Sequence, residues 1–287
     1  MLSWARVQTW ARVQDKVYIF GICKHDNLSD VTTIFDITTK NMGYIFEEIE
    51  RKVYPKTFLK DVHIGLDFNG SMPDRQSAAD FFENNFKLSL DADSEYSSVT
   101  VNSEDGLIKF DFSLTHIELV MRHPAYRKFE LALKWVSLMT DYLNLMDVGS
   151  VGKLTMSKYN ELEYAITDGG PGVETVMRQV FSSDMLTFGG VNAVDEEKNF
   201  ENMTRWEKFG TFEGHDAWDS LFSFEYGFSK RATDPLRGCL TLKTIIESRN
   251  TVLATHELED TMQSFNYILD RGFHWCVTKE IISKIKE

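Results

Sequence analysis

The chain is short of the residues that staple, break or anchor a fold. Its three cysteines, Cys23, Cys239 and Cys276, are far apart, with no CxxC and no zinc-type Cys/His spacing. That excludes a disulfide framework and predicts buried free thiols in a reducing compartment. Five prolines among 287 residues exclude a proline-rich or collagen-like chain. No apolar run approaches the roughly 20 residues that span a bilayer; the longest near the start, Val17–Cys23, is interrupted by Gly21. Arg6 and Arg12 precede no signal-peptide apolar core. Basic charge is scarce as well. The count is 31 Lys+Arg against 44 Asp+Glu, net −13, so a broad phosphate-binding face is disfavoured. These absences predict a cytoplasmic protein without a membrane segment, for which nucleic acid is a poor partner.

Short catalytic signatures are missing too. Gly152-Lys153 is followed by Leu154, and Asp stands at 147, so a phosphate-binding loop fails. Asp91-Ala-Asp93-Ser-Glu95 opens like a calcium loop, but Tyr96 takes the glycine position and Asn102 that of the closing acid. Ser150 and Lys153 have the SxxK spacing in a glycine-containing turn, where that chemistry is not supplied. No metal and no cofactor is predicted.

What is present is pattern. Ala125–Tyr164 reads as a long amphipathic helix, a turn at Gly149–Gly152 and a strand. Trp135, Leu138, Met139, Tyr142 and Met146 form its apolar stripe. Asp147 and Gly149 end it, with the glycine available for a left-handed cap. The following strand is expected to change face near Lys158–Asn160, as at a bulge. Val62, Ile64, Leu66 and Phe68 alternate with His63, Gly65 and Asp67, which predicts a half-exposed antiparallel strand. Asn41–Val53 reads as a helix. Ser97–Val101, Leu107–Leu114 and Ile117–Arg122 read as a meander, turned first at Asp105-Gly106. In the second half, helix Val173–Ser182 precedes strands Thr204–Glu213, Leu221–Phe228 and Cys239–Glu247. A helix through Leu258, Met262, Phe265 and Leu269 then leads to a Thr278-capped terminal helix.

The fold class is therefore α+β, with antiparallel sheets backed by long helices and two pseudo-repeated β-α-β-β-β-α-like halves. The divisions are an N-terminal arm over 1–16, a first half over 17–148 and a second over 149–287. Both halves can also form one continuous domain. The arm repeats Trp4-Ala-Arg-Val-Gln8 as Trp10-Ala-Arg-Val-Gln14, either a slipped duplication or a docking arm.

Two stretches carry a resemblance: Lys158-Tyr-Asn-Glu-Leu-Glu163 after the long helix, and Leu258–Phe265 followed by Phe273-His-Trp-Cys-Val-Thr278. They resemble a sporadically distributed, uncharacterised prokaryotic protein family of similar length, over the last half to two-thirds of the chain. The Trp repeat departs from that family's start, which opens directly on a strand. The resemblance implies a setting near defence or toxin–antitoxin genes and assigns no catalytic residue.

Two functional classes follow. The first is a non-catalytic interaction protein that binds another protein through an aromatic or acidic surface, with a homo-oligomer also open. Its contact residues would include Trp4, Trp10, Lys158, Tyr159, Asn160 and Glu161. In one version the acidic clusters Asp91–Glu95 and Asp195–Glu201 mimic nucleic acid. The second class is a hydrolase-type enzyme with a His/carboxylate site, at His63 with Asp67, joined by His25-Asp26, or at His215 with Asp219. A solvated sheet face or a polar loop explains the same residues without chemistry.

Overall fold

Apolar residues recur at every second position in several segments, and in the computed structural model those segments build a ten-stranded antiparallel sheet and a separate two-stranded pair. The structure describes residues 8–13, 16–21, 44, 46–49, 57–68, 77, 80–82, 88–90, 99–113, 115–126, 128–165, 172–190, 192–196, 200, 203–214, 219–231, 234–249 and 253–286. Two compact units divide at Gly43/Tyr44. In the first, β1 (Gln8–Val13) pairs antiparallel with β2 (Lys16–Gly21), Val13 lying opposite Lys16. This pairing crosses the boundary placed at 16/17.

The second unit holds β3 (Leu59–Phe68), β4 (Leu88–Leu90), β5 (Val99–Ser103), β6 (Ile108–Phe112) and β7 (His116–Arg122). After helix α1 (Phe129–Leu145) come β8 (Ser150–Ala165) and helices α2 (Val173–Val180), α3 (Ser183–Leu186) and α4 (Ala193–Glu196). Strands β9 (Arg205–Glu213), β10 (Leu221–Arg231), β11 (Asp234–Glu247) and β12 (Leu253–Ala254) precede helices α5 (Leu258–Cys276) and α6 (Lys279–Lys286). The spatial order is β4-β5-β6-β7-β3-β8-β11-β10-β9, with β12 against the start of β8.

One sheet per half was expected; in the second unit the described strands of both halves form a single sheet. β3 of the first half and β8 of the second pair along most of their length, from Leu59↔Asn160 to Phe68↔Val151. Joining them removes one exposed edge from each half and satisfies two rows of backbone groups.

Even-numbered residues of β3, β8, β9, β10 and β11 face the helices, and so do odd-numbered residues of β7. On β10 that row is Phe222, Phe224, Tyr226 and Phe228, all buried. Trp275 of α5 meets Phe224 at 5.4 Å, and Phe181 beyond α2 meets Tyr226 at 5.3 Å. In the first half, Phe82 and Tyr142 of α1 close over Phe112, at 4.8 and 5.0 Å. Each fully buried aromatic removes enough apolar surface from water to contribute about 2–3 kcal/mol. All these contacts lie on one side of the sheet.

Three local expectations change. Residues 44 and 46–49 are not helical. Tyr44 and Phe46 are instead buried among aromatic rings, Phe46 lying 4.7 Å from Phe222, and Arg271 holds the backbone carbonyls of Phe46 and Glu47. At Tyr44 and Phe46 these contacts override the helical pattern, while Met42, Ile45 and 50–53 lie outside the described residues. The irregularity of β8 lies near Gly152, where the register steps from Asp67↔Lys153 to Phe68↔Val151. Across Tyr159–Asn160 it is β3 that carries the extra residue, Lys60, while β8 keeps its alternation. The left-handed residue that ends α1 is Asp147, φ 59°, not Gly149.

Candidate functional site

The odd-numbered residues of β3 point away from the helices. Asp61, His63, Gly65 and Asp67 therefore stand in a row on the sheet's other face, between β7 and β8. Antiparallel register decides who meets whom. Asp67 is directly opposite His116, and His116 Nδ1 lies 2.6 Å from Asp67 Oδ1. Gly65 separates this pair from His63. A Cβ on Gly65 would approach His116 Cε1 to 3.0 Å, so the missing side chain makes room for the imidazole.

His63 is held from both sides. Its Nδ1 is 3.0 Å from Glu118 Oε1 on β7, and its Nε2 is 3.1 Å from Asp61 Oδ1 two residues back. A carboxylate oxygen only accepts, so each ring nitrogen donates and the ring is an imidazolium. The hydrogen bonds to Asp61 and then Glu118 raise its pKa to about 9 against the opposing effect of burial. Glu118 is held below the ordinary carboxylate value, chiefly by the bond from His63.

Further charges on this face are paired as well. Lys109 meets Asp111 at 2.6 Å, Lys153 meets Glu247 at 2.7 Å and Lys60 meets Glu161 at 3.6 Å. Tyr159 donates to Glu161 at 3.0 Å, and burial together with that bond raises the phenol's pKa. These side chains are a quarter to a half exposed, and they lie on five strands, β6, β7, β3, β8 and β11.

The sequence candidates therefore fall in different places. His63 and Asp67 share a face but not a bond, because four residues of strand separate them by about 13 Å. His25, Asp26, His215 and Trp4 lie outside the described residues. Asp219 is exposed and left-handed, φ 46°. Trp10 is described only as backbone, in β1. The Lys158–Glu161 run is divided by strand alternation. Tyr159 and Glu161 are on the open face, while Lys158 and Asn160 are turned to the helices and buried. Lys158 Nζ lies 2.5 Å from Asp270 Oδ1 of α5 and 5.6 Å from the Tyr126 ring centre. Asn160 Nδ2 donates to the Leu242 carbonyl at 3.4 Å. Direct contact of those two with a partner is thus blocked. Of the acidic clusters, Asp91–Glu95 is outside the described residues, and Asp195 is bonded at 2.5 Å by Arg178.

Chemically, the arrangement around His63 is a poor base. Both ring nitrogens donate, and the ring keeps its proton until pH passes about 9. Among the described residues no group of three or more His, Cys, Asp or Glu side chains is placed to hold a metal ion. A cavity of about 20 Å³, room for a single water, lies on the helix side, lined by Phe58, Leu162, Phe181, Phe273 and other mainly apolar residues. Neither His63 nor Asp67 lines it. Among the described residues no helix is long and apolar enough to cross a membrane.

Sequence reasoning missed Asp61, Glu118 and His116 as the neighbours that define this face. Asp61 was within reach, since residues two apart on a strand share a face. Glu118 and His116 depend on the pairing of β3 with β7, which no local signal marks. Compared with protein-family models and with curated proteins, the sequence matches none.

Proposed function

We propose that this chain is a non-catalytic interaction protein, an accessory factor of a defence, anti-defence or toxin–antitoxin setting, that binds another protein on the open face of its sheet. One observation carries the non-catalytic part: His63 bridges Asp61 and Glu118 through both ring nitrogens, so its proton is committed. The binding part is supported by the extent of the face, whose exposed carboxylates include Asp67 and Glu225. A broad surface with exposed carboxylates suits a partner of complementary charge, with steering that weakens in salt.

The repeat of element order belongs to this reading. β3 pairs with β7, the last strand of its half, and β8 pairs with β11 along most of its length and with the short β12 at its start. β3 and β8 then meet back to back at the middle. We read this as two related halves, each carrying one long helix, joined so that their outward rows form one surface.

The test is affinity purification of the wild-type chain and of the Asp67→Lys/Glu225→Lys double variant from the native host. A partner retained by the wild type should be lost from the variant and released by salt. A partner held equally by both, or a turnover abolished by His63→Ala, sinks the proposal.

A further inference from the structure

We propose that the slot between α5 and the adjoining ends of β9 and β10 is a peptide-recognition site. Residues 44–49 fill it as an internal ligand, which an extended aromatic-x-aromatic-x-Glu segment of a partner protein replaces. The slot is on the helix side of the sheet, so this does not depend on what the open face binds.

The slot is shaped for a phenol. Tyr44 Oη lies 2.5 Å from Oγ of Ser220, itself buried. A Cβ on Gly214 would come within 2.6 Å of the Tyr44 hydroxyl and 2.7 Å of its Cζ, so the glycine leaves the space that the ring takes. Phe46 enters beside it. Its ring stacks on that of Tyr44 at 5.4 Å and meets Phe222, Phe212 and Trp275 at 4.7, 5.6 and 5.8 Å. Side chains two residues apart share a side when the chain is extended.

The main chain is read as well. Residues 44 and 46–49 belong to no helix and no strand. Every nitrogen of the Arg271 guanidinium reaches them. Nη2 donates to the Phe46 carbonyl, Nε donates to the Glu47 carbonyl at 3.0 Å, and Nη1 lies 3.2 Å from Glu48 Oε1. Tyr267, one turn earlier on α5, donates to the Glu48 carboxylate and lies 3.2 Å from the Ile49 carbonyl. Aromatic anchors in pockets, with backbone groups held between them, are how an extended peptide is bound.

Continuity separates this from ordinary core packing. All of these contacts come from one uninterrupted stretch, so a short peptide carries the whole set. Arg271 holds carbonyls that any sequence possesses, whereas the two rings and the Glu48 carboxylate set the specificity. The tether gives the internal segment an effective concentration on the order of millimolar. A replacing segment must therefore bind more tightly, or be held close by a second contact.

Fluorescence anisotropy on the full chain tests this, with a labelled peptide Gly-Tyr-Ile-Phe-Glu-Glu-Ile, the sequence of residues 43–49, standing in for the partner. The wild type should bind it weakly, its slot being filled. Tyr44→Ala/Phe46→Ala empties both pockets and should bind the peptide on the order of tenfold or more tightly than the wild type does. Adding Arg271→Ala, or replacing the peptide's phenylalanine by alanine, should remove that gain. If the double variant loses its native circular dichroism, the peptide should restore it by supplying the missing contacts in trans. Equal affinity for the wild type and a folded double variant, a gain that survives Arg271→Ala, or an unfolded double variant that the peptide leaves unfolded overturns the proposal.

Discussion

Lys158 and Asp270 meet at 2.5 Å in the seam between β8 and α5, with Lys158 only 7% exposed. Burial alone would lower the lysine's pKa, but the Asp270 carboxylate and Tyr126 overcome it and leave the value raised. Asp270 is also within reach of Asn266, which accepts from the Tyr126 hydroxyl at 2.8 Å. The pair thus ties the central strand to the long helix through a shared polar network.

Breaking such a pair from one side leaves a buried charge. Asp270→Ala should cost about 3 kcal/mol, the low end for this class, because the carboxylate side chain is 42% exposed and water can partly replace it. Lys158→Met removes the charge and keeps the stem, and should cost less. Urea midpoints of the two variants decide this. A larger loss for Lys158→Met than for Asp270→Ala would show that the ion pair itself stabilises.

His63 makes stability depend on alkaline pH. Its folded pKa of about 9 lies above the ordinary 6.5, so the contribution is complete below pH 6.5 and is lost as pH rises through about 9. Glu118, whose pKa is depressed, works the other way and loses its contribution as pH falls through that lowered value. Because the ring is about a third exposed, solvent screening limits the effect to roughly 1 kcal/mol. The melting temperature of the wild type should fall between pH 7 and 10 more steeply than that of His63→Gln. An imidazole that titrates near 6.5 by NMR would remove the basis of this and of the non-catalytic reading.

Period-two and period-3.6 patterns marked the long helix, the strand through His63, the Asp105-Gly106 hairpin and both C-terminal helices. These elements are specified by their own residues. The pairing of β3 with β8, which turns two sheets into one, was not visible, because neither strand carries a signal naming its neighbour. The helix over 41–53 was misread for a related reason: Phe46 satisfies a helical stripe equally well, but its ring is claimed by Phe222, Phe212 and Trp275 from three distant places. At the site, residue types were legible and partnerships were not. His63 and Asp67 were rightly put on one face, yet each finds its acid or base on β7.

Gly272 sets how closely α5 can approach β10. A Cβ there would lie 2.3 Å from Cζ of Phe222, a ring with no solvent exposure and no room to retreat. Two effects compete in Gly272→Ala. Helix propensity favours alanine by about 1 kcal/mol. Overpacking against a fixed aromatic costs about 1–3 kcal/mol or more. The overlap is deep, so the clash should win and the variant should be destabilised by about 2 kcal/mol. Gly272→Ala combined with Phe222→Leu should recover part of that loss. If Gly272→Ala is more stable than the wild type in a denaturant titration, the helix is free to shift and the contact does not fix its position.

Asp147 ends α1 in a conformation that suits glycine. With φ at 59°, the Val148 N–H reaches the Leu143 carbonyl at 2.9 Å, and the Asp147 N–H reaches that of Asn144 at 3.0 Å. These are the two bonds of a Schellman cap, and Val148, 4% exposed, supplies its apolar anchor. The glycine two residues later is not used because the anchor and both bonds already place the reversal at 147. A side chain in the left-handed region costs roughly 1–2 kcal/mol, offset in part by the entropy a glycine would lose on folding. Asp147→Gly should therefore stabilise the fold by about 0.5–1 kcal/mol, and Asp147→Val should destabilise it by at least as much. Asp147 is exposed, so neither change disturbs packing, and thermal melts of the two variants read the backbone effect alone. Equal melting temperatures for both would mean that α1 ends elsewhere in solution.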